Sequence, residues 1–206
     1  LKASQKRNEV ILSTKGGHPR LETMEISRAV PEEIKQDLEE SLAYLGVDTI
    51  DLYFLHRDNI ALPAEELLAV LEQAKREGKI RYYGCSNWKL DRIREAEEAA
   101  KKNGFSGFIC NQVMWSLAVV NEEQLTDPTL VLIDDETLEY QKQTKMNTMA
   151  YTSLAKGYLS KKIAGKAIRE PNASLYKNKA NDGLEVYLRR LEREEGISPM
   201  AASMAY

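Results

Sequence analysis

The chain has 206 residues, of which 43% are apolar and 30% charged, and its formal net charge at pH 7 is −3. This size and composition predict a single domain over residues 1–206 with a substantial hydrophobic core. A slightly acidic chain without an apolar run of roughly 20 residues is expected to bind neither nucleic acid nor a membrane.

The chemistry-bearing residues limit the function further. The two cysteines, Cys85 and Cys110, lie in apolar segments without metal-ligand spacing, and His18 and His56 are the only histidines. We therefore expect no metal site and two reduced, mostly buried thiols. Residues 1–7 lack the apolar core of a secretory signal, so we expect a cytoplasmic protein.

Five short runs rich in apolar, β-branched or aromatic residues predict β-strands, and each run is followed by a helical pattern. Their continuous apolar character is typical of strands covered on both faces of a parallel sheet. The predicted strands are Val10–Lys15, Thr49–Leu55, Ile80–Ser86, Gly107–Val113 and Asn147–Tyr151.

Amphipathic helices are predicted between and after these strands. The first begins at Pro31 and ends at Gly46, and the second carries the apolar positions Leu67 to Ala74 and ends before Gly78. The others are predicted over residues 90–103, about 134–143 and about 181–195. Ser198 and Pro199 then have the pattern of an N-cap and a first helical residue.

Strict alternation of strands and helices predicts βα units with right-handed crossovers. Periodicity alone allows an open doubly wound sheet as well as a (β/α)8 barrel. No Gly-rich phosphate-binding fingerprint follows any predicted strand, so a nucleotide bound by this chain would need another scheme.

Polar and aromatic side chains stand where the predicted strands end, and these positions meet at one mouth in a barrel. Taken singly, the lysine could be a solvated charge, the histidine a structural one and the tyrosine a core residue. Their positions at equivalent strand ends together indicate a functional site. The residues are Lys15, His56, Ser86, Asn87, Asn111, Gln112 and Tyr151.

Five segments of the chain resemble, in order and spacing, the successive signatures of the aldo-keto reductases. The most specific is Leu38–Leu42 followed by Leu45–His56. The other four are Ser13–Gly17, Gly84–Trp88, Asn111–Gln112 and Tyr151–Gly157. The resemblance implies an α/β fold, a (β/α)8 TIM barrel of which about five consecutive βα units are present. It also implies that N- and C-terminal parts are missing from a protein of about 280 to 350 residues.

The resemblance also implies residue roles. Lys15 and His56 match two members of a catalytic Asp, Tyr, Lys, His tetrad, whose Asp and Tyr come from an earlier unit that this chain lacks. The resemblance further implies that Ser86, Asn87 and Gln112 hold the nicotinamide carboxamide and that Tyr151 stacks on the nicotinamide. Three residues match the turn that approaches the cofactor pyrophosphate: Thr152, Leu154 and Gly157.

The implied reaction is NAD(P)H-dependent reduction of a small-molecule aldehyde or ketone to an alcohol. The expected cofactor is NADPH/NADP, with NADH left open because the selecting residues lie beyond the final strand in the family. An ammonium beside a phenol lowers the phenol pKa from its free value of about 10, and an imidazole can donate to the carbonyl oxygen.

Several alternatives stay open at this stage. The chain could be a cofactor-binding regulatory module similar to the potassium-channel β-subunits, or an inactive fragment. Trp88 and Trp115 could wall a substrate pocket or pack between loops. The basic stretch 156–179 could be a lid over the pyrophosphate or a solvated flexible loop. Neither the carbonyl substrate nor the oligomeric state follows from the sequence.

Overall fold

The computed structural model describes residues 6–206. These residues form two compact units, one of residues 6–113 and 133–149 and the other of residues 114–132 and 150–206. The expectation of one domain over the whole chain stays a prediction.

A five-stranded sheet organises the first unit, and its strands follow one another in chain order. The first three neighbouring pairs are parallel, with Lys15 opposite Phe54 and Ser86 opposite Gln112. The strands are β1 (Ser13–Gly16), β2 (Ile50–Leu55), β3 (Ile80–Ser86), β4 (Cys110–Met114) and β5 (Asn147–Tyr151).

Four helices belong to this unit: α1 (Pro31–Leu45), α2 (Ala64–Arg76), α3 (Leu90–Asn103) and α4 (Asp135–Thr144). Helix α1 begins with Pro31 in its first turn and ends at Gly46. Gly46 forms a left-handed C-cap, with a φ of 62° and a hydrogen bond from its backbone amide to the Ala43 carbonyl. The Asp134 side chain caps α4 by accepting from the Thr137 amide. These helix boundaries confirm the predicted ones to within a few residues.

Apolar residues from the helices and both faces of the sheet fill the core of this unit. On β2, Ile50, Tyr53 and Leu55 are completely buried, and Ile34, Leu38 and Leu42 form the buried stripe of α1. Both cysteines are free and buried, as predicted.

Two predicted strand starts were wrong. The first strand begins at Ser13 rather than Val10, because Val10 and Ile11 are exposed to solvent. The fourth begins at Cys110 rather than Gly107, because Gly107 has a φ of 73°, which lies outside the β region.

The strand order distinguishes the two architectures that periodicity allowed. A doubly wound sheet reverses its strand order at a switch point, whereas β1 to β5 run without a reversal. Parallel strands in chain order with intervening helices fit a TIM-barrel-like fold. The expectation that further strands lie outside this chain stays a prediction.

The second unit is helical, with a separate apolar core. Its helices are α5 (Tyr158–Ile163), α6 (Asn172–Tyr176), α7 (Lys179–Glu195) and α8 (Pro199–Ala205). Ser198 caps α8 by accepting from the Ala201 amide, as the sequence pattern predicted. None of the described helices has the length and apolarity that a membrane span requires.

Residues 156–179 are not a continuous solvated loop, which was one of the two alternatives for this stretch. The stretch contains α5 and α6, and the rings of Tyr158 and Tyr176 are buried with centroids 5.4 Å apart. One lysine of the stretch is paired: Lys162 contacts Asp182 and also Glu185, the latter at 3.2 Å, both from α7. Both acidic partners lie outside residues 156–179.

Close packing at β3 generates a stability prediction. A Cβ on Gly84 would lie 2.5 Å from the Cys110 carbonyl oxygen and 2.8 Å from Phe54 Cε1. We expect Gly84→Ala to lower the free energy of unfolding by about 1–3 kcal/mol, because backbone and a core ring must shift. Urea unfolding measures this. Gly183→Ala in α7, where a Cβ meets nothing within 4 Å, is the control and should stabilise by roughly 0.5–1 kcal/mol. An unchanged midpoint for Gly84→Ala would contradict the packing at β3.

Candidate active site

Lys15 lies in β1, one residue before its end, and its side chain is only partly exposed. Its Nζ is 5.8 Å from the centroid of the Phe54 ring on the neighbouring strand. Burial lowers the pKa of the Lys15 ammonium, and the nearby positive charge of Arg57 lowers it further. The structure therefore holds Lys15 in a place that disfavours its own charge.

His56 follows β2 directly. Its backbone amide donates to the Gly16 carbonyl at 2.8 Å, which ties the end of β2 to the end of β1. Its own carbonyl accepts from Arg57 Nη1 at 2.8 Å. Its ring lies edge-on to that of His18, with centroids 4.5 Å apart and planes 60° apart.

Ser86 and Asn87 stand where β3 ends, and both are buried. Asn87 has a φ of 57°, a left-handed conformation that Asn tolerates better than most residues. Its backbone amide donates to the Gln112 carbonyl at 3.1 Å. Its side-chain Nδ2 donates to Ser86 Oγ at 3.1 Å and lies 3.5 Å from the His56 carbonyl.

Gln112 lies in β4 with its side chain partly exposed. Its Nε2 donates to the Met149 sulfur at 2.8 Å. A thioether is a weak acceptor, so a better acceptor could replace it at little cost.

Together these bonds join the ends of four neighbouring strands into one row. The contacts run from Gly16 to His56, from His56 to Asn87 and from Asn87 to Gln112. The structure thus brings five sequence-predicted residues of the first unit to one edge of the sheet: Lys15, His56, Ser86, Asn87 and Gln112. Their roles stay predictions.

The remaining predicted cofactor residues lie in the second unit. Tyr151 is partly exposed, and its carbonyl accepts from the Trp115 amide at 3.3 Å. The turn after it contains two tight bonds, from the Ala155 amide to the Thr152 carbonyl and from the Gly157 amide to the Leu154 carbonyl, both 2.7 Å long.

Backbone strain marks this turn. Thr152, Ala155 and Lys156 have φ values of 58°, 47° and 52°, which side-chain-bearing residues rarely adopt, and Gly157 has a φ of 79°. Such strain clusters at ligand-binding sites. The predicted pyrophosphate turn is therefore a candidate for contact between backbone and ligand.

The two tryptophans differ in their surroundings. Trp88 is completely buried, with its ring 5.0 Å from that of Phe108 and the Arg92 guanidinium 5.4 Å from its centroid. These contacts favour the packing alternative for Trp88. Trp115 is partly exposed beside the Tyr206 ring at 5.6 Å and stays a candidate.

Sequence reasoning missed two residues at the edge of the sheet. Arg57 is buried directly after His56 and lowers the Lys15 pKa, and His18 contacts the His56 ring. The rule that strand ends carry function would have included both, because they follow β2 and β1 by only two residues. Neither residue lies in the segments that carry the family resemblance, which end at Gly17 and at His56.

Comparison with known proteins gives a consistent result. The profile of the aldo/keto reductase family matches residues 1–206. The aldo-keto reductase Str7 of Strobilurus tenacellus is 30% identical over 172 residues, which are 84% of this chain and 46% of that protein. The aldo-keto reductase yakc [NADP(+)] of Schizosaccharomyces pombe is 39% identical over 97 residues, 46% of this chain and 28% of that protein.

A solved structure agrees on the fold. The crystal structure of an aldo/keto reductase from Klebsiella pneumoniae in complex with NADP and acetate matches with a TM-score of 0.64. The identity is 24%, and the match covers 97% of this chain and 56% of that one. The chain spans less than half the length of the two curated relatives.

The lowered pKa of Lys15 predicts how a Lys15→Met variant responds to pH. Below the lowered pKa, Lys15 is charged in both the folded and unfolded chain, and the fold carries the full cost of burying the charge. Above the unfolded value of about 10.4, the amine is neutral in both states and the cost is gone. We therefore expect Lys15→Met to raise the free energy of unfolding at neutral pH.

Denaturant unfolding of both proteins across pH measures this difference in the free energy of unfolding. The difference should shrink as the pH rises towards about 10.4, the ordinary pKa of a lysine. Lys35→Met, at an exposed position of α1, is the control and should show no such trend. A Lys15→Met variant less stable than the wild type at pH 7 would show that the charge is stabilised rather than penalised.

Proposed function

The chain belongs to the aldo/keto reductase family, and on this basis we propose that the full-length protein is an NADP(H)-dependent oxidoreductase that reduces an aldehyde or ketone to an alcohol. The observation that supports this best is the row of Lys15, His56 and Asn87 with Gln112 at the ends of adjacent strands. In a barrel these strand ends are where chemistry takes place.

Two cations and an imidazole suit the charge change of this reaction. Negative charge develops on the carbonyl oxygen as hydride reaches the carbonyl carbon. Lys15, with Arg57 close enough to lower its pKa, supplies positive potential at that edge. His56 is partly exposed there, and its ring can donate a hydrogen bond that orients the carbonyl oxygen.

The polar groups at the same edge fit a nicotinamide carboxamide. The Ser86 hydroxyl and the Asn87 and Gln112 amides offer both donors and acceptors, which match the amide of that group. The Met149 sulfur is a weak partner for Gln112, which leaves this side chain able to bind a carboxamide oxygen instead. The cofactor supplies the hydride, and these residues fix which face of its ring meets the substrate.

In the second unit, we assign Tyr151 to stacking on the nicotinamide and the strained turn at Thr152, Leu154 and Gly157 to the pyrophosphate. Support comes from the φ values of the turn. NADP is proposed over NAD because the yakc relative carries NADP(+) in its name and the Klebsiella protein was solved with NADP.

The proposal is tested by assaying the full-length protein for turnover of a simple aldehyde with NADPH. The reaction is monitored through the loss of NADPH absorbance. Steady oxidation of NADPH that depends on the aldehyde is the expected result. NADPH binding without turnover would instead support the regulatory alternative. Neither binding nor turnover would contradict both.

We expect Lys15→Met to lower kcat by roughly 10²- to 10⁴-fold, the usual contribution of a group that assists proton transfer. Its NADPH Kd should change little, because Lys15 is assigned to the chemistry rather than to the cofactor. Steady-state kinetics and fluorescence titration measure the two quantities, and Lys35→Met is again the matched surface control. Near-normal turnover of Lys15→Met would remove Lys15 from the active site.

We expect Tyr151→Ala to weaken NADPH binding several-fold, because one lost aromatic stacking contact is worth roughly 1 kcal/mol. Tyr151→Phe keeps the ring and should bind NADPH as the wild type does. Fluorescence titration with NADPH compares the three proteins. Equal affinity of Tyr151→Ala and the wild type would mean that Tyr151 is a packing residue.

A further inference from the structure

We propose that His18 is a positioning residue for His56: its ring holds the His56 ring in the orientation needed to donate to the substrate carbonyl. The kinetic consequence rests on the proposed function, whereas the contact between the two rings does not. His18 is not among the motif residues that indicated the family's chemistry.

The rings of His18 and His56 are in direct contact. The centroids of His18 and His56 lie 4.5 Å apart with planes at 60°, an edge-to-face arrangement of aromatic rings. The backbone of His56 is held separately, by the bond from its amide to the Gly16 carbonyl and by Arg57 at its own carbonyl. Backbone bonds fix the Cα and do not set the side-chain torsions, whereas the His18 ring packs against the imidazole and restricts the rotation of that ring.

His18 is itself held in place by contacts of its ring and of its backbone. Its Nδ1 lies 2.5 Å from the Pro19 carbonyl oxygen. A carbonyl only accepts, so Nδ1 carries the proton and a neutral His18 is the Nδ1–H tautomer. The backbone carbonyl of His18 accepts from Arg28 Nη1 at 3.2 Å, so both ends of the residue are tied.

An ion-pair clamp holds this loop to α1. Arg28 pairs with Asp37 at 2.5 Å and donates through Nε to Glu33 at 2.8 Å. The other oxygen of Asp37 accepts from the Gly17 amide at 2.8 Å. The hydrogen bond to Asp37 is the largest of the causes that raise the pKa of Arg28, which agrees with a tightly paired guanidinium.

Glycine is required at the clamped position. Gly17 has a φ of 75°, and a Cβ there would lie 3.3 Å from Ala29 Cα. The loop therefore passes close to the backbone before α1, and a side chain at Gly17 would be both crowded there and strained by the left-handed φ. The clamp places His18, and His18 places His56, so the orientation of the candidate hydrogen-bond donor depends on α1.

Nuclear magnetic resonance of the full-length protein labelled with ¹⁵N-histidine tests the contact without any need for activity. We expect cross-relaxation between the ring protons of His18 and His56 in the wild type, and nitrogen shifts of a neutral Nδ1–H tautomer for His18 at high pH. His18→Ala should shift the His56 ring signals, because it removes a ring current beside them. Absent cross-relaxation in the wild type, or unmoved His56 signals in His18→Ala, would overturn the proposal.

Kinetics test the positioning role. Loss of one aromatic contact predicts that His18→Ala lowers kcat roughly two- to twelve-fold while the NADPH Kd is unchanged. His18→Phe keeps an aromatic ring beside His56 but loses the Nδ1 bond to the Pro19 carbonyl, so it should restore kcat in part. A His18→Phe variant as slow as His18→Ala, or a parallel loss of cofactor affinity and kcat, would overturn positioning by the ring.

The two failures are distinguishable. A wild-type protein that turns over no carbonyl compound contradicts the proposed function, and the resonance experiment still decides whether His18 positions His56. A wild-type protein that turns over aldehydes while His18→Ala keeps full kcat contradicts only the role of His18.

Discussion

The site depends on one constraint, the register in which β1 to β4 pair. Parallel strands place their carboxyl ends at the same edge, and the hydrogen bond from the His56 amide to Gly16 and that from the Asn87 amide to Gln112 extend the pairing just beyond the strands. A shift of one residue in either pair would turn every side chain on the shifted strand to the opposite face. Because the core residues of β2 are buried on both faces, such a shift would also expose apolar surface, so the same packing that stabilises the sheet aligns the polar row.

Much of this arrangement could be predicted from the residues. The apolar runs, the Pro31 and Gly46 signals of α1 and the Ser198 cap of α8 are local, and local signals survive folding. The strand ends followed from the same alternation. Chain order without reversal could not be predicted from periodicity, because a doubly wound sheet has the same local pattern.

What could not be predicted depends on contacts between distant residues. Lys162 pairs with Asp182 and Glu185 of α7, and Tyr158 packs against Tyr176 in a core that spacing does not reveal. Trp88 becomes a core residue through Phe108, which follows it by a whole helix. The effect of Arg57 on the Lys15 pKa requires the pairing of β1 with β2. The Arg28 clamp on the loop after β1 likewise requires α1 to fold back against it.

Three departures from local preference lie where the proposed function needs them. Lys15 sits where burial opposes its charge, Asn87 has a φ of 57°, and Thr152 begins a turn of left-handed residues with a φ of 58°. Each of these lowers stability relative to a relaxed alternative, since a desolvated ammonium and a left-handed non-glycine residue both cost free energy. In β2 and α1, by contrast, the apolar pattern of the sequence and the observed burial agree. Lys15, Asn87 and Thr152 thus carry a local cost at strand ends or in the proposed pyrophosphate turn, and a binding and catalytic role at those positions accounts for that cost.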